Sequence, residues 1–108
     1  MWPADERMNH YSDKRDYNAI RATKTWCFKA KKQRTRSKPF GAYFTTLLPT
    51  DANFVKRVRL PKDKREYRFS FTGRRGLLPV PGPAGKDVFY SPTDYFVGKP
   101  RQVYCGPA

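Results

Sequence analysis

Ten prolines and seven glycines are spread over 108 residues, so no part of this chain runs far before a residue that interrupts a helix or a strand ladder. Every regular element must be short, and a chain of this length supports one small domain at most. Apolar residues make up 38% of it, below the roughly 45–50% of an ordinary globular protein. High charge with low hydropathy predicts disorder, yet aromatic residues reach 16%, and disordered chains are usually poor in them. The combination reads as a small irregular α+β protein with one N-terminal helix and one β-hairpin. Long extended proline-rich arms flank them, ordered mainly by partners that offset the conformational entropy.

Residues 1–11 read as an extended arm with Trp2 as its aromatic anchor. The helix is expected over 12–32, capped by Ser12 or Asp13, with Asp13 and Asp16 favourable in its first turn. Tyr17, Ile20 and Cys27 fall near one face at helical spacing. Residues 33–53 read as irregular, with a short strand conceivable at 42–48. Phe54–Leu60 and Arg65–Thr72 flank Pro61-Lys62-Asp63-Lys64, a turn-forming stretch, and Tyr67, Phe69 and Phe71 alternate with Arg68 and Ser70. That predicts a hairpin with one aromatic and one basic face, so that 12–72 form a helix-plus-hairpin module. In the tail, 73–108, Pro79, Pro81 and Pro83 favour extended chain. Its clusters Val88-Phe89-Tyr90, Tyr95-Phe96-Val97 and Val103-Tyr104 suit insertion into successive pockets of a large partner. Strands of a small sheet are the alternative.

A net charge of +14 is concentrated in two blocks. Residues 21–38 hold eight cations and no acid, and residues 56–75 hold nine against Asp63 and Glu66. Self-repulsion of this size disfavours compaction and calls for an anionic partner, of which a polyphosphate is the most economical because it releases counterions. The residues expected to meet RNA or another anionic surface are Lys29, Lys31, Lys32, Arg34, Arg36, Lys38, Arg57, Arg59, Arg68, Arg74 and Arg75. Trp2, Phe40, Tyr43, Tyr67, Phe69, Tyr90, Tyr95 and Tyr104 are the expected aromatic anchors, since stacked rings and phosphate contacts together make up RNA recognition.

Signals for other chemistry are weak. His10 is the only histidine, so no triad can be assembled in the usual way, and zinc lacks the four Cys or His ligands of a structural site. Gly82-Pro83-Ala84-Gly85-Lys86 departs from a phosphate loop, with Val80 and Asp87 where Gly and Ser or Thr are needed. Gly73-Arg74-Arg75-Gly76 has only the outline of a GxxG clamp and reads better as a glycine-flanked arginine pair. Cys27 and Cys105 are expected as free thiols. Neither a secretory signal nor the ~20 apolar residues of a membrane span is visible. The expectation is a non-catalytic protein without metal, cofactor or small-molecule substrate, and with no sign of homo-oligomerisation. It would be a structural component of a large ribonucleoprotein of ribosomal or mitoribosomal type, contacting rRNA and neighbouring proteins in the mitochondrion. The alternative is an accessory subunit of a non-RNA assembly, either a peripheral respiratory-complex subunit or a microtubule-lining protein of the cytoplasm, cytoskeleton or cilium.

Overall fold

A computed structural model describes residues 6–32, 39–58 and 60–108. Period-two alternation starts earlier than expected. Strand β1 (Arg7–Ser12) directs Met8 into the core and Asn9 and Tyr11 to the other face. Asp13 then caps helix α1 (Lys14–Arg21), its carboxylate accepting from the Asp16 N–H at 2.9 Å. The helix stops well short of residue 32. Thr23 turns back on the Ile20 carbonyl through both its N–H (3.2 Å) and its hydroxyl (2.8 Å), a local side-chain bond that competes with continued helix. Trp26–Phe28 follow as strand β2, and Ala42–Thr45 as strand β3.

The hairpin expected over 54–72 is not formed. Phe54–Val58 is a helical turn, α2, because Phe54 and Val58, four apart, both bury beside Tyr11 on the far face of the sheet. Residues 62–65 form a 3₁₀ turn, and only Tyr67–Thr72 is a strand, β4. Its partners are distant in sequence. β4 pairs antiparallel with β1, from Arg7 opposite Thr72 to Ser12 opposite Tyr67, and on its other side with the C-terminal strand.

The extended arms are corrected most clearly. Residues 7–12 are an inner strand. The tail supplies four more: β5 (Leu78–Pro79), β6 (Val88–Ser91), β7 (Tyr95–Val97) and β8 (Gln102–Pro107). The result is a six-stranded antiparallel sheet of order β5-β6-β3-β1-β4-β8 and a two-stranded sheet, β2-β7, that covers one of its faces. The radius of gyration is 12.8 Å, as expected of a compact chain, for which about 13 Å is typical at 100 residues. The prolines did not prevent a sheet because they stand at its margins: Pro79 and Pro107 end strands, and Pro83 and Pro100 sit in 3₁₀ turns.

Nor is a partner needed to supply the core. Eleven buried residues form it, eight of them aromatic, so rings supply the volume that a chain poor in aliphatics lacks. Phe28, fully buried, is its centre, with ring contacts to Phe44 at 5.2 Å, Phe69 at 5.6 Å and Phe71 at 5.9 Å. The pairs with Phe44 and Phe69 are edge-to-face, and such pairs each add about 0.5–1.5 kcal/mol beyond burial. Arg101 fastens the tail to β4: its guanidinium donates to the carbonyls of Thr72 (2.9 Å) and Gly73 (3.3 Å) and to the Tyr95 hydroxyl (2.8 Å). The charge that suggested an unfolded chain is carried largely by exposed side chains, where water and salt screen it.

Candidate ligand cleft

The six-stranded sheet has one weak seam. β1 and β3 register at a single pair, Asn9 opposite Thr45, whereas β1 and β4 run in register over six. Past Asn9 the two strands part, and a cleft of about 470 Å³ opens between the end of β1 and the start of β3. That volume lies within the ~300–1,000 Å³ usual for small-molecule sites. Ala19 and Ile20 of α1 and Cys27 of β2 wall one side, Val58 and Leu60 the other, and Phe44 contributes to the floor.

His10 stands at the seam. Its Nδ1 lies 2.9 Å from the Tyr43 carbonyl, which can only accept, so this nitrogen carries the proton. The side chain thereby bonds a backbone oxygen of the neighbouring strand. The ring packs on Phe28 at 4.7 Å and Phe44 at 5.5 Å. Burial drives its pKa down to about 4, against the Tyr43 carbonyl and the Asp16 carboxylate, which favour the cation. At neutral pH the ring is therefore neutral, and Nε2 is left with a lone pair. Two residues along the same strand face, the Ser12 hydroxyl is buried without a hydrogen-bond partner although the residue is only 3% exposed. Both groups line the cleft. Since Ser12 has no partner, it is not paired with His10 as a nucleophile and base would be.

Cations mark the rim. Lys31 pairs with Asp16 at 3.4 Å, Lys29 with Asp94 at 3.3 Å, and Lys64 with Asp13. The Asp13 carboxyl is held below the usual range, first by the Asp16 N–H and then by Lys64; the Asp94 carboxyl is lowered by the Ala30 N–H and then by Lys29. The Lys29 and Lys31 pairs are exposed, so exchanging their carboxylates for a ligand anion costs little. Desolvation raises the Tyr43 phenol to about 12, so it stays a neutral donor, here to the Pro39 carbonyl. The arrangement offers an apolar floor for a flat ring, an acceptor and a hydroxyl for polar substituents, and cations for a negative charge. No group of three or more metal-ligating side chains occurs among the described residues.

The residues singled out from the sequence do not converge on one surface. Lys29, Lys31 and Tyr43 are at the cleft. Lys32 is exposed, and Phe40 is 56% exposed. Trp2, Arg34, Arg36, Lys38 and Arg59 lie outside the described residues. Arg57 pairs with Asp87 at 2.8 Å, and Arg68 covers the Tyr104 ring at 4.6 Å. Arg74 turns inward, over the Phe89 ring at 4.5 Å and 3.3 Å from Glu6, with its pKa lowered by desolvation. Arg75 is exposed, and its carbonyl accepts from the Tyr95 hydroxyl at 2.6 Å. Tyr67 stacks on Tyr17 at 4.3 Å, Tyr90 stacks on Tyr43 at 5.8 Å, and Phe69 and Tyr95 belong to the core. His10, Ser12 and Lys64 were not singled out. The alternation Met8, His10, Ser12 was the available signal, since it puts the sole histidine on an apolar strand face.

Comparison with known protein families, with curated proteins and with solved structures finds no match for the chain. Among the described residues, no helix is long and apolar enough to cross a membrane.

Proposed function

We propose that the chain binds a nucleoside phosphate in the cleft between β1 and β3. The observation that carries this reading is the buried Ser12 hydroxyl without a partner, two residues along the strand from a neutral His10 whose Nδ1 bond to Tyr43 leaves Nε2 an acceptor. Buried polar groups without partners are rare and call for a ligand or ordered water. A lone-pair acceptor beside a hydroxyl suits vicinal hydroxyls such as those of ribose, the apolar floor suits a base, and Lys29, Lys31 and Lys64 suit phosphate.

The test is titration of the purified chain with adenosine diphosphate, adenosine and inorganic pyrophosphate, followed by the His10 ring protons in NMR and by calorimetry. Adenosine diphosphate should bind at least roughly tenfold more tightly than either fragment, because only it spans floor and rim. Ser12→Ala should leave folding intact or slightly improved while lowering affinity by about 0.5–1.5 kcal/mol, the usual net value of one hydrogen bond. Failure of all three compounds to move the His10 resonances at millimolar concentration refutes the reading.

The net charge of +14 favours a second reading, contact with RNA phosphate as a structural ribonucleoprotein component. Binding of single-stranded RNA should then weaken steeply with salt, by about 0.7 in log K per log salt for each phosphate contacted. A slope near zero removes it.

A further inference from the structure

On the other face of the sheet a second groove of about 360 Å³ runs across β1, β4 and β8, sharing only Asn9 with the first. A register shift creates it. In the β4–β8 ladder, Ser70 is opposite Tyr104 and Phe71 is opposite Gln102, so Val103 is an extra, bulged residue. Without the bulge, Val103 and Tyr104 would point to opposite faces; with it, both line the groove. Their exposures are 41% and 39%, and Leu48 on the opposite wall is 39% exposed. The floor, Asn9 and Ser70, is rigid and already satisfied: the Ser70 hydroxyl donates to Asn9 Oδ1 at 2.6 Å, and the Asn9 amide donates to the Thr45 carbonyl at 3.2 Å. Arg7 and Arg68 stand at opposite ends of this floor, because Arg7 is opposite Thr72 and Arg68 is opposite Tyr11. No acidic residue lines the groove, Arg7 makes no ion pair among the described residues, and Arg68 Nε is buried without a partner.

We infer that this groove is a docking site for an acidic segment of a partner protein. Apolar side chains of the segment would cover Leu48, Val103 and Tyr104, and its carboxylates would pair with Arg7 and Arg68. Charge complementarity selects that occupant. A second copy of this chain would bring another +14 and be repelled. RNA is a weaker fit, because the Tyr104 ring is already covered by the Arg68 guanidinium at 4.6 Å and so is not open for a base to stack on.

The site is tested on the full chain by fluorescence anisotropy with a labelled peptide of alternating Glu and Leu. Val103→Glu places a like charge in the groove at an exposed position and should weaken binding by roughly tenfold or more, the order of a 1.4 kcal/mol electrostatic penalty. Phe96→Glu makes the same charge change on β7, in the other sheet, at a residue 60% exposed, and should leave affinity unchanged. Methyl resonances of Val103 and Leu48 should shift on binding. Equal losses in the two variants, or shifts confined to other residues, would mean that the peptide is held by diffuse charge, and the proposal falls. So it does if oligouridylate binds the groove more tightly than the peptide, or if the chain dimerises through β8.

Discussion

Lowering the pH below about 6.5 should destabilise this protein through a single side chain. His10 is the only histidine, and in the fold its pKa is depressed from 6.5 to about 4, chiefly by burial. Above 6.5 the ring is neutral in both folded and unfolded states and contributes no pH dependence. Between 6.5 and about 4 the unfolded chain takes up a proton that the folded chain refuses, so stability falls as pH falls, and the contribution of His10 is fully lost below the folded value. A shift from 6.5 to about 4 corresponds to roughly 3 kcal/mol at 1.36 kcal/mol per unit. The cleft admits water to one edge of the half-buried ring, which reduces the desolvation penalty, so a loss of about 1–2 kcal/mol is expected.

Urea unfolding at constant ionic strength, read by tryptophan fluorescence, measures this directly. A loss of that size moves the midpoint down by about 1 M or somewhat less between neutral pH and about pH 4.5, given typical urea slopes. The lowered carboxyls of Asp13 and Asp94 cannot mimic it, because their contribution is present above the unfolded carboxylate value and is lost only below about pH 4. His10→Asn, which keeps a donor near the Nδ1 position but does not titrate, should flatten the profile. A flat profile in the unaltered chain, or an unchanged slope in His10→Asn, would refute the argument that the ring is held neutral by burial.

Three further outcomes follow from the packing. Phe28→Ala empties the centre of the aromatic core and should cost about 3–5 kcal/mol, seen in calorimetry as a fall in Tm of roughly 15 °C or more. Gly41→Ala would put a Cβ 2.5 Å from the Ser91 carbonyl oxygen; the backbone must shift, and the urea midpoint should drop by the equivalent of about 1–3 kcal/mol. Arg101→Met removes the three hydrogen bonds to Thr72, Gly73 and Tyr95 and should lower stability by about 2 kcal/mol or more, with hydrogen exchange accelerating first in the amides of β8.

The sequence carried local signals better than long-range ones. A cap at Ser12 or Asp13 was readable because capping depends on residues three apart, and Asp13 fills it. The alternation Tyr67, Phe69, Phe71 correctly marked a strand, but not its neighbours, since β1 and β8 lie about 60 residues before it and 35 after it in the pairs Met8–Phe71 and Phe69–Cys105. Phe54–Val58 carries β-branched residues that suit a strand, and only the burial of Phe54 and Val58 against Tyr11 makes it a helical turn. In the tail, Val88-Phe89-Tyr90 and Tyr95-Phe96-Val97 were legible as apolar clusters. That they close the protein's own core rather than a partner's pockets depends on Phe44 and Phe28, which they meet only after folding. The cleft was not legible, because it is made by a ladder that stops: one registered pair where its neighbour has six.

That interrupted ladder gives His10 two tasks that substitution can separate. Nδ1–H answers the Tyr43 carbonyl, and the same tautomer leaves Nε2 as the acceptor for a ligand in the cleft. Fold and ligand therefore select one protonation state, and neither competes with the other for the proton. Asparagine at this position reaches the Tyr43 carbonyl with its amide but places nothing where Nε2 stood. Glutamine, one methylene longer, presents its amide near the Nε2 position and gives up the bond to Tyr43. His10→Asn should accordingly keep most of the neutral-pH stability and lose adenosine diphosphate binding by about tenfold, the value of one good hydrogen bond. His10→Gln should lose about 1 kcal/mol of stability from the lost bond to the Tyr43 carbonyl and retain more of the affinity. Parallel losses of both properties in both variants would mean that the ring acts only as packing between Phe28 and Phe44. In that case the Nε2 lone pair would have no part in recognition.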